Sequence, residues 1–158
     1  MNNRVVIFPG RFQPFHPGHK SCYDRLVDEY GRENVYIATS NKVKYPESPF
    51  SFEEKVEIIT SIYPDISRGM IVRTKQPYRP VEVIDSLPDD TEWVLAIGAK
   101  DLKRLRGIDR LYILTEKERI SGTEVRQRLE ESKDFDKVFE EIYGRKIDNA
   151  QELMKIYA

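Results

Sequence analysis

The sequence predicts a single α/β domain built on a doubly wound parallel sheet, and three observations support this fold class. Short apolar runs of strand length alternate with longer segments in which apolar residues recur at helical spacing. Strands that alternate with helices favour right-handed crossovers and a parallel sheet that helices cover on both faces. The chain of 158 residues shows no repeat, low-complexity stretch or linker, so we expect one domain over residues 1–158.

Five apolar runs are predicted as strands, and turn residues or helical patterns bound them. In chain order they are residues 4–8, 35–39, 70–73, 93–97 and 110–114. Helices are predicted at residues 18–29, 51–62, 80–86 and 123–131. Two further helices extend to residue 157, and we expect the segment from about residue 133 to form an appendage to the domain.

Composition narrows the class of protein. The net charge of −1 provides no basic field that would attract nucleic acid or an anionic membrane. Cys22 is the only cysteine, which excludes an internal disulfide and a zinc site made of cysteines. The N-terminus lacks the pattern of a signal peptide, and no apolar run approaches the roughly 20 residues of a membrane helix. We therefore expect a cytoplasmic protein that binds neither nucleic acid nor membranes.

The strongest chemical signal follows the first predicted strand, and ligands of such sheets lie beyond the carboxyl ends of the strands. Residues 9–19 hold both histidines of the chain, His16 and His19, three apart at a helix start, so both rings can point the same way. Gly10 and Gly18 allow backbone to approach a ligand, and backbone N–H groups at the helix N-terminus form an anion site. The segment predicts a triphosphate site in which each imidazole donates a hydrogen bond.

Two alternatives remain for the histidine segment. The first is a turn with two surface histidines, and the second is half of a metal site. No third histidine, second cysteine or H-E-x-x-H pattern supports a metal, so we predict no metal-ligating residues.

A second motif opens the helix that follows the fifth predicted strand. Ser121 and Glu124 have the spacing of a capping box, and Gly122 leaves room for a phosphate above the helix end. Ser121 and Thr123 add hydroxyl donors, and Arg126 lies about one turn further on, where it can fold back as a forked cation. The alternative is an ordinary helix cap with an exposed arginine.

Weaker candidates follow the second and fourth predicted strands. Lys42 or Lys44 can reach a substrate phosphate from the end of the second strand, and the alternative is a solvated basic loop. Asp101, three residues after Gly98, either binds a ribose hydroxyl or caps the short helix that follows. Lys44, Gly98 and Asp101 are our candidates for contacts with an acceptor substrate.

Together, G-x-x-x-P-x-H-x-G-H near the start and I-S-x-T-x-x-R near the end resemble the nucleotidyltransferase superfamily, whose first motif is called HIGH-like. The resemblance covers residues 4–129 and implies a Rossmann-like sheet. It implies a catalytic set made of His16, His19, Lys42 and Arg126. It also implies nucleotide contacts from Gly10, Arg11, Phe12, Gly18, Ile113, Leu114, Ile120, Ser121, Gly122 and Thr123. Mg²⁺ would be bound through the triphosphate, with mostly phosphate and water ligands.

The same resemblance implies a reaction in which ATP is joined to a phosphomonoester and pyrophosphate is released. GRFQPFHPGH and ISGTEVR are most similar to archaeal-type adenylyltransferases whose acceptor is nicotinamide mononucleotide (NMN). The chain length and FSFEEK are similar to phosphopantetheine adenylyltransferase, while His16 is shared with glycerol-phosphate-type cytidylyltransferases. The choice of ATP over CTP depends on the resemblance alone, and the acceptor stays open.

Two further classes of protein compete with this interpretation. A fragment of a class I aminoacyl-tRNA synthetase shares the H-x-G-H element, but this chain has no K-M-S-K-S-like loop. A nucleotide-binding regulatory domain would use the same cleft without catalysis, and release of pyrophosphate distinguishes it from an enzyme. Relatives are commonly homo-oligomers, and the sequence leaves the oligomeric state open.

Overall fold

The computed structural model describes residues 4–104, 110–114 and 121–158 of the chain. Within these ranges the strands are β1 (Arg4–Pro9), β2 (Val35–Thr39), β3 (Ile71–Arg73), β4 (Glu92–Gly98) and β5 (Leu111–Leu114). The helices are α1 (Pro17–Tyr30), α2 (Phe52–Ile62), α3 (Val81–Ile84), α4 (Gly122–Glu130), α5 (Phe135–Tyr143) and α6 (Ala150–Leu153). All predicted elements are present. None of these helices is long and apolar enough to cross a membrane.

The five strands form one parallel sheet in the order β3-β2-β1-β4-β5. The chain first winds from β1 through β2 to β3 and then crosses back to add β4 and β5 on the other side of β1. This order confirms the predicted doubly wound sheet and makes it Rossmann-like. The winding reverses between β1 and β4, where Ile7 pairs with Leu95, and ligands of open α/β sheets bind at such a switch point.

The sheet separates two hydrophobic clusters of different size. Val6 and Phe8 of β1 face the larger cluster, to which α1, α2, α4, α5 and α6 contribute buried side chains. Ile7 points to the opposite face, where it packs with Leu95 of β4 and Val83 of α3 in the smaller cluster. In the part of the chain that the structure describes, the helical packing is therefore concentrated on one face.

The C-terminal segment, which the sequence predicts as an appendage, contributes buried side chains to the larger cluster. Phe135 and Phe139 of α5 and Met154 beyond α6 are buried in the larger cluster. Tyr143, at the end of α5, is buried as well, and its hydroxyl donates a hydrogen bond to the carbonyl of Phe15 at 2.7 Å. Because Phe15 precedes His16, the last helices also support the loop that carries the histidines.

Candidate active site

The loop between β1 and α1 presents both histidines at the first turn of α1. His16 is the N-cap residue, and its Nδ1 accepts a hydrogen bond from the Gly18 N–H at 3.1 Å. His19 Nδ1 accepts from the His16 N–H at 3.2 Å, which completes a reciprocal capping box. Pro17 occupies the first helical position, where the missing N–H costs nothing. Two imidazoles thus serve as the caps of this helix.

These caps determine which nitrogen of each ring carries the proton. A neutral imidazole whose Nδ1 accepts a hydrogen bond is protonated on Nε2. Burial and the charge of Lys100 lower the pKa of His16 to about 4. Burial, His16 and Lys100 together hold the pKa of His19 well below its usual value. Both rings are therefore neutral Nε2–H donors near pH 7.

The two imidazoles stack with their centroids 3.7 Å apart and their planes 24° from parallel. His16 is fully buried, and its Nε2 makes no hydrogen bond to any residue that the structure describes. A buried donor without an acceptor is rare in folded proteins and calls for an explanation. An anionic oxygen of a ligand is the acceptor that suits this position at the switch point of the sheet.

Phe12 and Phe15 support the ring of His19 inside the loop. Phe12 lies perpendicular to it, with centroids 4.8 Å apart, and Phe15 lies at 5.3 Å. Phe12 has a φ of 48°, in the left-handed region that bulky residues rarely adopt. A Cβ on Gly10 would lie 2.7 Å from the Phe12 ring, so a glycine is required there for packing. The structure places Gly10 and Phe12 in the support of His19, and their contacts with a nucleotide stay predictions.

The second motif lies on the same side of the sheet and is hydrogen bonded to the first. Ser121 is the N-cap of α4, and its Oγ accepts from the backbone N–H three residues further on at 3.1 Å. Arg126 folds back as predicted, and its Nη2 donates to Thr123 Oγ1 at 3.2 Å. Its Nη1 donates to the carbonyl of Gln13 at 2.7 Å. The guanidinium thus joins α4 to the loop that carries the histidines.

Gly122 has a steric role in this junction. A Cβ there would lie 3.3 Å from Arg126 Nη1 and 3.7 Å from the Gln13 carbonyl oxygen, so a side chain would crowd their hydrogen bond. The room for a phosphate above the helix end stays a prediction. Gly18 contributes the backbone N–H that caps His16.

Gln13 is a site residue that the sequence analysis does not single out. Its buried side chain exchanges two hydrogen bonds with the backbone of Phe50: Nε2 donates to the carbonyl at 2.8 Å, and Oε1 accepts from the N–H at 2.9 Å. Arg11 contacts the same segment through Nη2, which donates to the Glu47 carbonyl at 3.1 Å and to Ser48 Oγ at 2.9 Å. A lone amide side chain within an aromatic and proline-rich loop is the signal that could have revealed Gln13.

The lysines near the end of β2 differ in burial. Lys42 and Lys44 are exposed, in a loop that the backbone pair of Lys44 and Ser48 closes. Their contacts with a substrate phosphate stay predictions. Lys55, in the first turn of α2, is only 1% exposed and donates three hydrogen bonds to neighbouring oxygens. The sequence analysis does not single out Lys55 for the site.

The ends of β4 and β5 form the other side of the switch point. Gly98 ends β4 and pairs with Leu114, and a Cβ on Gly98 would meet no atom within 4 Å. Ile113 is 39% exposed, whereas Leu114 is buried. Ile120, the third position at which backbone is predicted to recognise the base, lies outside the described residues.

The turn after β4 brings two charged residues to this edge. Asp101 lies in the 3₁₀ turn Ala99–Arg104, and its contact with a ribose stays a prediction. Lys100 precedes it, and its charge contributes to the lowered pKa of both His16 and His19. Lys100 therefore belongs to the electrostatic environment of the histidines, although its place in a run of basic residues gave no specific signal.

Comparison with known proteins finds a matching family and similar named proteins. The Cytidylyltransferase-like family matches residues 7–128. The chain is 31% identical over 158 residues to a phosphopantetheine adenylyltransferase from Phocaeicola vulgatus, and the match covers 92% of this chain and 99% of that protein. It is 36% identical over 54 residues to nicotinamide-nucleotide adenylyltransferase 1 from Sulfolobus acidocaldarius, which covers 34% of this chain and 31% of that protein.

Among solved structures, the fold is similar to a bifunctional NMN adenylyltransferase/ADP ribose pyrophosphatase from Francisella tularensis, solved with AMP and a manganese ion. The TM-score is 0.68 at 20% sequence identity. The match covers 99% of this chain and 49% of that one, so the present chain spans about half its length. Since the family match includes the loop of His16 and His19 and the helix of Arg126, the chain belongs to the Cytidylyltransferase-like family and is a nucleotidyltransferase.

Proposed function

We propose that this nucleotidyltransferase transfers an adenylyl group from ATP to the phosphate of a small molecule, with NMN as the first-choice acceptor. The proposal rests on the hydrogen bond that joins the two motifs. The loop of the neutral donors His16 and His19 accepts a hydrogen bond from Arg126, which brings imidazoles, hydroxyls and a guanidinium to one edge of the sheet. The adenylyltransferase names of the relatives support ATP as the nucleotide.

The reaction in this proposal is an in-line displacement at the α-phosphorus of ATP. An acceptor phosphate oxygen attacks, a new P–O bond forms, and the bond to pyrophosphate breaks with its electron pair on the departing oxygen. Because the attacking oxygen is already anionic, the reaction needs no general base and no covalent enzyme intermediate. The protein supplies alignment, which can lower a barrier by about 7 kcal/mol or more, and donors to the developing charge.

The named residues divide this work between them. His16 donates from its buried Nε2–H to a phosphate oxygen, which satisfies the donor that has no described partner. His19 donates beside it, from a ring stacked on His16. Ser121 and Arg126 hold the outer phosphates at the start of α4, where backbone N–H groups and the helix dipole favour anions.

The divalent metal arrives with the triphosphate in this proposal. No three His, Cys, Asp or Glu side chains group into a metal site within residues 4–104, 110–114 and 121–158. The Nδ1 atoms of both histidines already accept backbone hydrogen bonds. These residues fit a Mg²⁺ ion whose ligands are phosphate oxygens and water. The ion supplies charge neutralisation when bound, and the residues of the chain orient the phosphates.

Phosphopantetheine is the second candidate acceptor, and the extent of similarity favours it. The match to the relative from P. vulgatus covers 92% of this chain and 99% of that protein, whereas the match to the archaeal relative covers 54 residues. The motifs GRFQPFHPGH and ISGTEVR favour NMN instead. A direct comparison of acceptors is therefore the decisive experiment.

Purified protein with Mg²⁺ should be assayed with ATP or CTP against NMN, nicotinate mononucleotide, phosphopantetheine, flavin mononucleotide and glycerol 3-phosphate. Pyrophosphate release and the mass of the product are measured, and His19→Ala prepared in the same way controls for contaminating activity. We expect ATP with NMN to give pyrophosphate and the dinucleotide. If only phosphopantetheine reacts, the first-choice acceptor is wrong. If no pair reacts although ATP raises the melting temperature, the proposed reaction is refuted.

A further inference from the structure

Lys55 is a buried cation at the carboxyl end of the sheet that the proposed reaction leaves unused. Its Nζ donates to the Arg11 carbonyl at 3.2 Å, to Thr39 Oγ1 at 2.7 Å and to the Ser40 carbonyl at 2.6 Å. All three acceptors are uncharged, although burial of a charge is costly unless it is paired. A methionine or leucine would fill the same space at lower cost. The position of Lys55 is therefore better explained by the loops that it joins than by packing.

The Arg11 carbonyl connects Lys55 to the loop of the histidines. This carbonyl accepts a second hydrogen bond, from the Thr39 hydroxyl at 3.3 Å. Two donors therefore hold the peptide plane between Arg11 and Phe12. Phe12 follows with a φ of 48°, a conformation that a bulky residue keeps only when its surroundings hold it there. Lys55 and Thr39 supply that restraint on the N-terminal side of Phe12.

Phe12 in turn contacts the ring of His19. The Phe12 ring is 3% exposed, lies perpendicular to His19 with centroids 4.8 Å apart, and fills the space beside Gly10. If the Arg11 carbonyl were released, the backbone of Phe12 could relax to a negative φ and carry its ring away from His19. A continuous series of contacts thus runs from the ammonium to the imidazole.

We propose that Lys55 is a positioning residue for the nucleotidyl transfer, which holds Phe12 and thereby His19 in place through the Arg11 carbonyl. The effect on turnover rests on the proposed function. The effect on the geometry of His19 does not, because it concerns contacts that are present before any substrate binds.

Lys55→Met removes the ammonium and keeps an unbranched stem. We expect kcat to fall about 10- to 100-fold, the loss expected when a catalytic group moves by about an ångström. KM for ATP should change less, because Lys55 touches no substrate in this proposal. Lys137→Met, at an exposed lysine of α5, is the matched control and should leave both constants unchanged. Normal kcat in folded Lys55→Met would overturn the proposal.

The pH profile separates positioning from a merely structural role. Burial, and then the charge of Arg11, lower the pKa of Lys55 to about 8. In the wild type, kcat/KM should fall as the pH rises from about 7.5 to about 9.5, because deprotonated Lys55 loses one of its three donors. The fall should disappear in Lys55→Met. Identical profiles in the two proteins would contradict the proposal.

Over the same pH range, the contribution of Lys55 to stability should rise while kcat/KM falls. The pKa of Lys55 is lower in the folded than in the unfolded chain, so the unfolded chain binds more protons between about pH 8 and its ordinary value of 10.5. The contribution of Lys55 to the free energy of unfolding therefore rises with pH. Denaturant titrations at pH 7.5 and 9.5 should therefore show no loss of stability from Lys55, although kcat/KM falls over the same range.

Nitrogen-15 spectra of the histidine rings test the inference independently of any reaction. Lys55→Met should shift the ring signals of His19 more than Lys137→Met does. Thr39→Val removes the other donor to the Arg11 carbonyl, should cause the same shift, and replaces Lys55→Met if that variant does not fold. Unchanged His19 signals in the folded variant overturn the role of Lys55. Shifted signals in a protein that transfers no nucleotide support that role and refute the proposed function.

Discussion

In both His16 and His19 the two ring nitrogens have different roles. Nδ1 caps the first turn of α1, so the proton lies on Nε2, and the Nε2 of His16 has no hydrogen-bond partner among the described residues. The start of the helix therefore determines the tautomer and the orientation of both donors, and burial keeps them neutral. A pair of neutral donors at a helix N-terminus suits phosphate oxygens without requiring proton transfer.

His19→Ala should lower turnover by about a hundredfold or more while the fold survives. One fixed donor to developing charge contributes roughly 3 kcal/mol to catalysis, and the lost cap costs about 1 kcal/mol of stability. Pyrophosphate release and thermal unfolding measure the two effects. Gln127→Ala, at an exposed position of α4, is the control. A folded His19→Ala enzyme with near-normal turnover would refute the role of this imidazole.

Acidification should destabilise the protein through His16. Its pKa of about 4 when folded lies below the ordinary value of 6.5, so the unfolded chain binds more protons in this window and stability falls as the pH falls. Between pH 7 and pH 5 the loss from this group amounts to about 2 kcal/mol. Denaturant titrations should show a loss smaller by that amount in His16→Asn, since asparagine also caps helices. Equal losses in both proteins would contradict the role of His16.

Three helices hold the loop between β1 and α1 through the same kind of hydrogen bond. Alternate carbonyls of the loop each accept a hydrogen bond from a side chain of a different helix, at 2.7 to 3.2 Å. The pairs are Lys55 of α2 with Arg11, Arg126 of α4 with Gln13, and Tyr143 of α5 with Phe15. The loop has no regular secondary structure of its own. These side-chain hydrogen bonds therefore take the place of the backbone hydrogen bonds of a helix or a sheet, and they fix the path of the loop.

Tyr143→Phe should destabilise the protein by about 1–3 kcal/mol, because it leaves the buried carbonyl of Phe15 without this donor. Turnover should also fall, since Phe15 precedes His16. Denaturant unfolding and pyrophosphate release measure both changes. Tyr45→Phe removes the hydrogen bond from an exposed hydroxyl to Glu130 and should leave stability nearly unchanged. Equal effects of the two substitutions on stability and turnover would contradict the role of the buried hydrogen bond from Tyr143 to Phe15.

The molecule as a whole depends on one large core that includes its C-terminal end. Among the described helices, all except α3 contribute buried side chains to this core, and its last buried residue is Met154, just beyond α6. Site and core are continuous, because Phe12 and Phe15 belong to the same cluster as Phe139 and Tyr143. A change at the end of the chain is therefore expected to reach the histidine loop.

Removal of residues 133–158 should abolish cooperative folding. It exposes the cluster that Phe135, Phe139, Tyr143 and Met154 help to form, and each large apolar side chain contributes roughly 2 kcal/mol. The sum is comparable with the roughly 5–15 kcal/mol of stability that a domain has. Near-ultraviolet circular dichroism and denaturant titration measure the loss, and deletion of exposed Ala158 alone is the control. A truncated chain that unfolds cooperatively would show that these helices are an appendage.

Local patterns were sufficient for the elements and for the two motifs. Strand and helix periodicities extend over a few residues, and the caps at His16, Ser51 and Ser121 join residues two or three apart. The alternation of strands and helices also implied a parallel sheet, whose carboxyl edge receives the ligand. The positions of His16, His19 and Arg126 at that edge could therefore be inferred before the fold was known.

Long-range contacts were beyond the reach of the sequence, because strand order and packing bring together residues that no local spacing relates. Arg126 meets Gln13 across 113 positions, and Tyr143 meets Phe15 across 128. The burial of Lys55 beside two loop ends, against the exposure of Lys42, likewise follows from how α2 docks on the sheet. Short sequence motifs therefore predict the chemical groups of the site. The contacts that support these groups come from helices, and only the packing of the core determines which residues those helices contact.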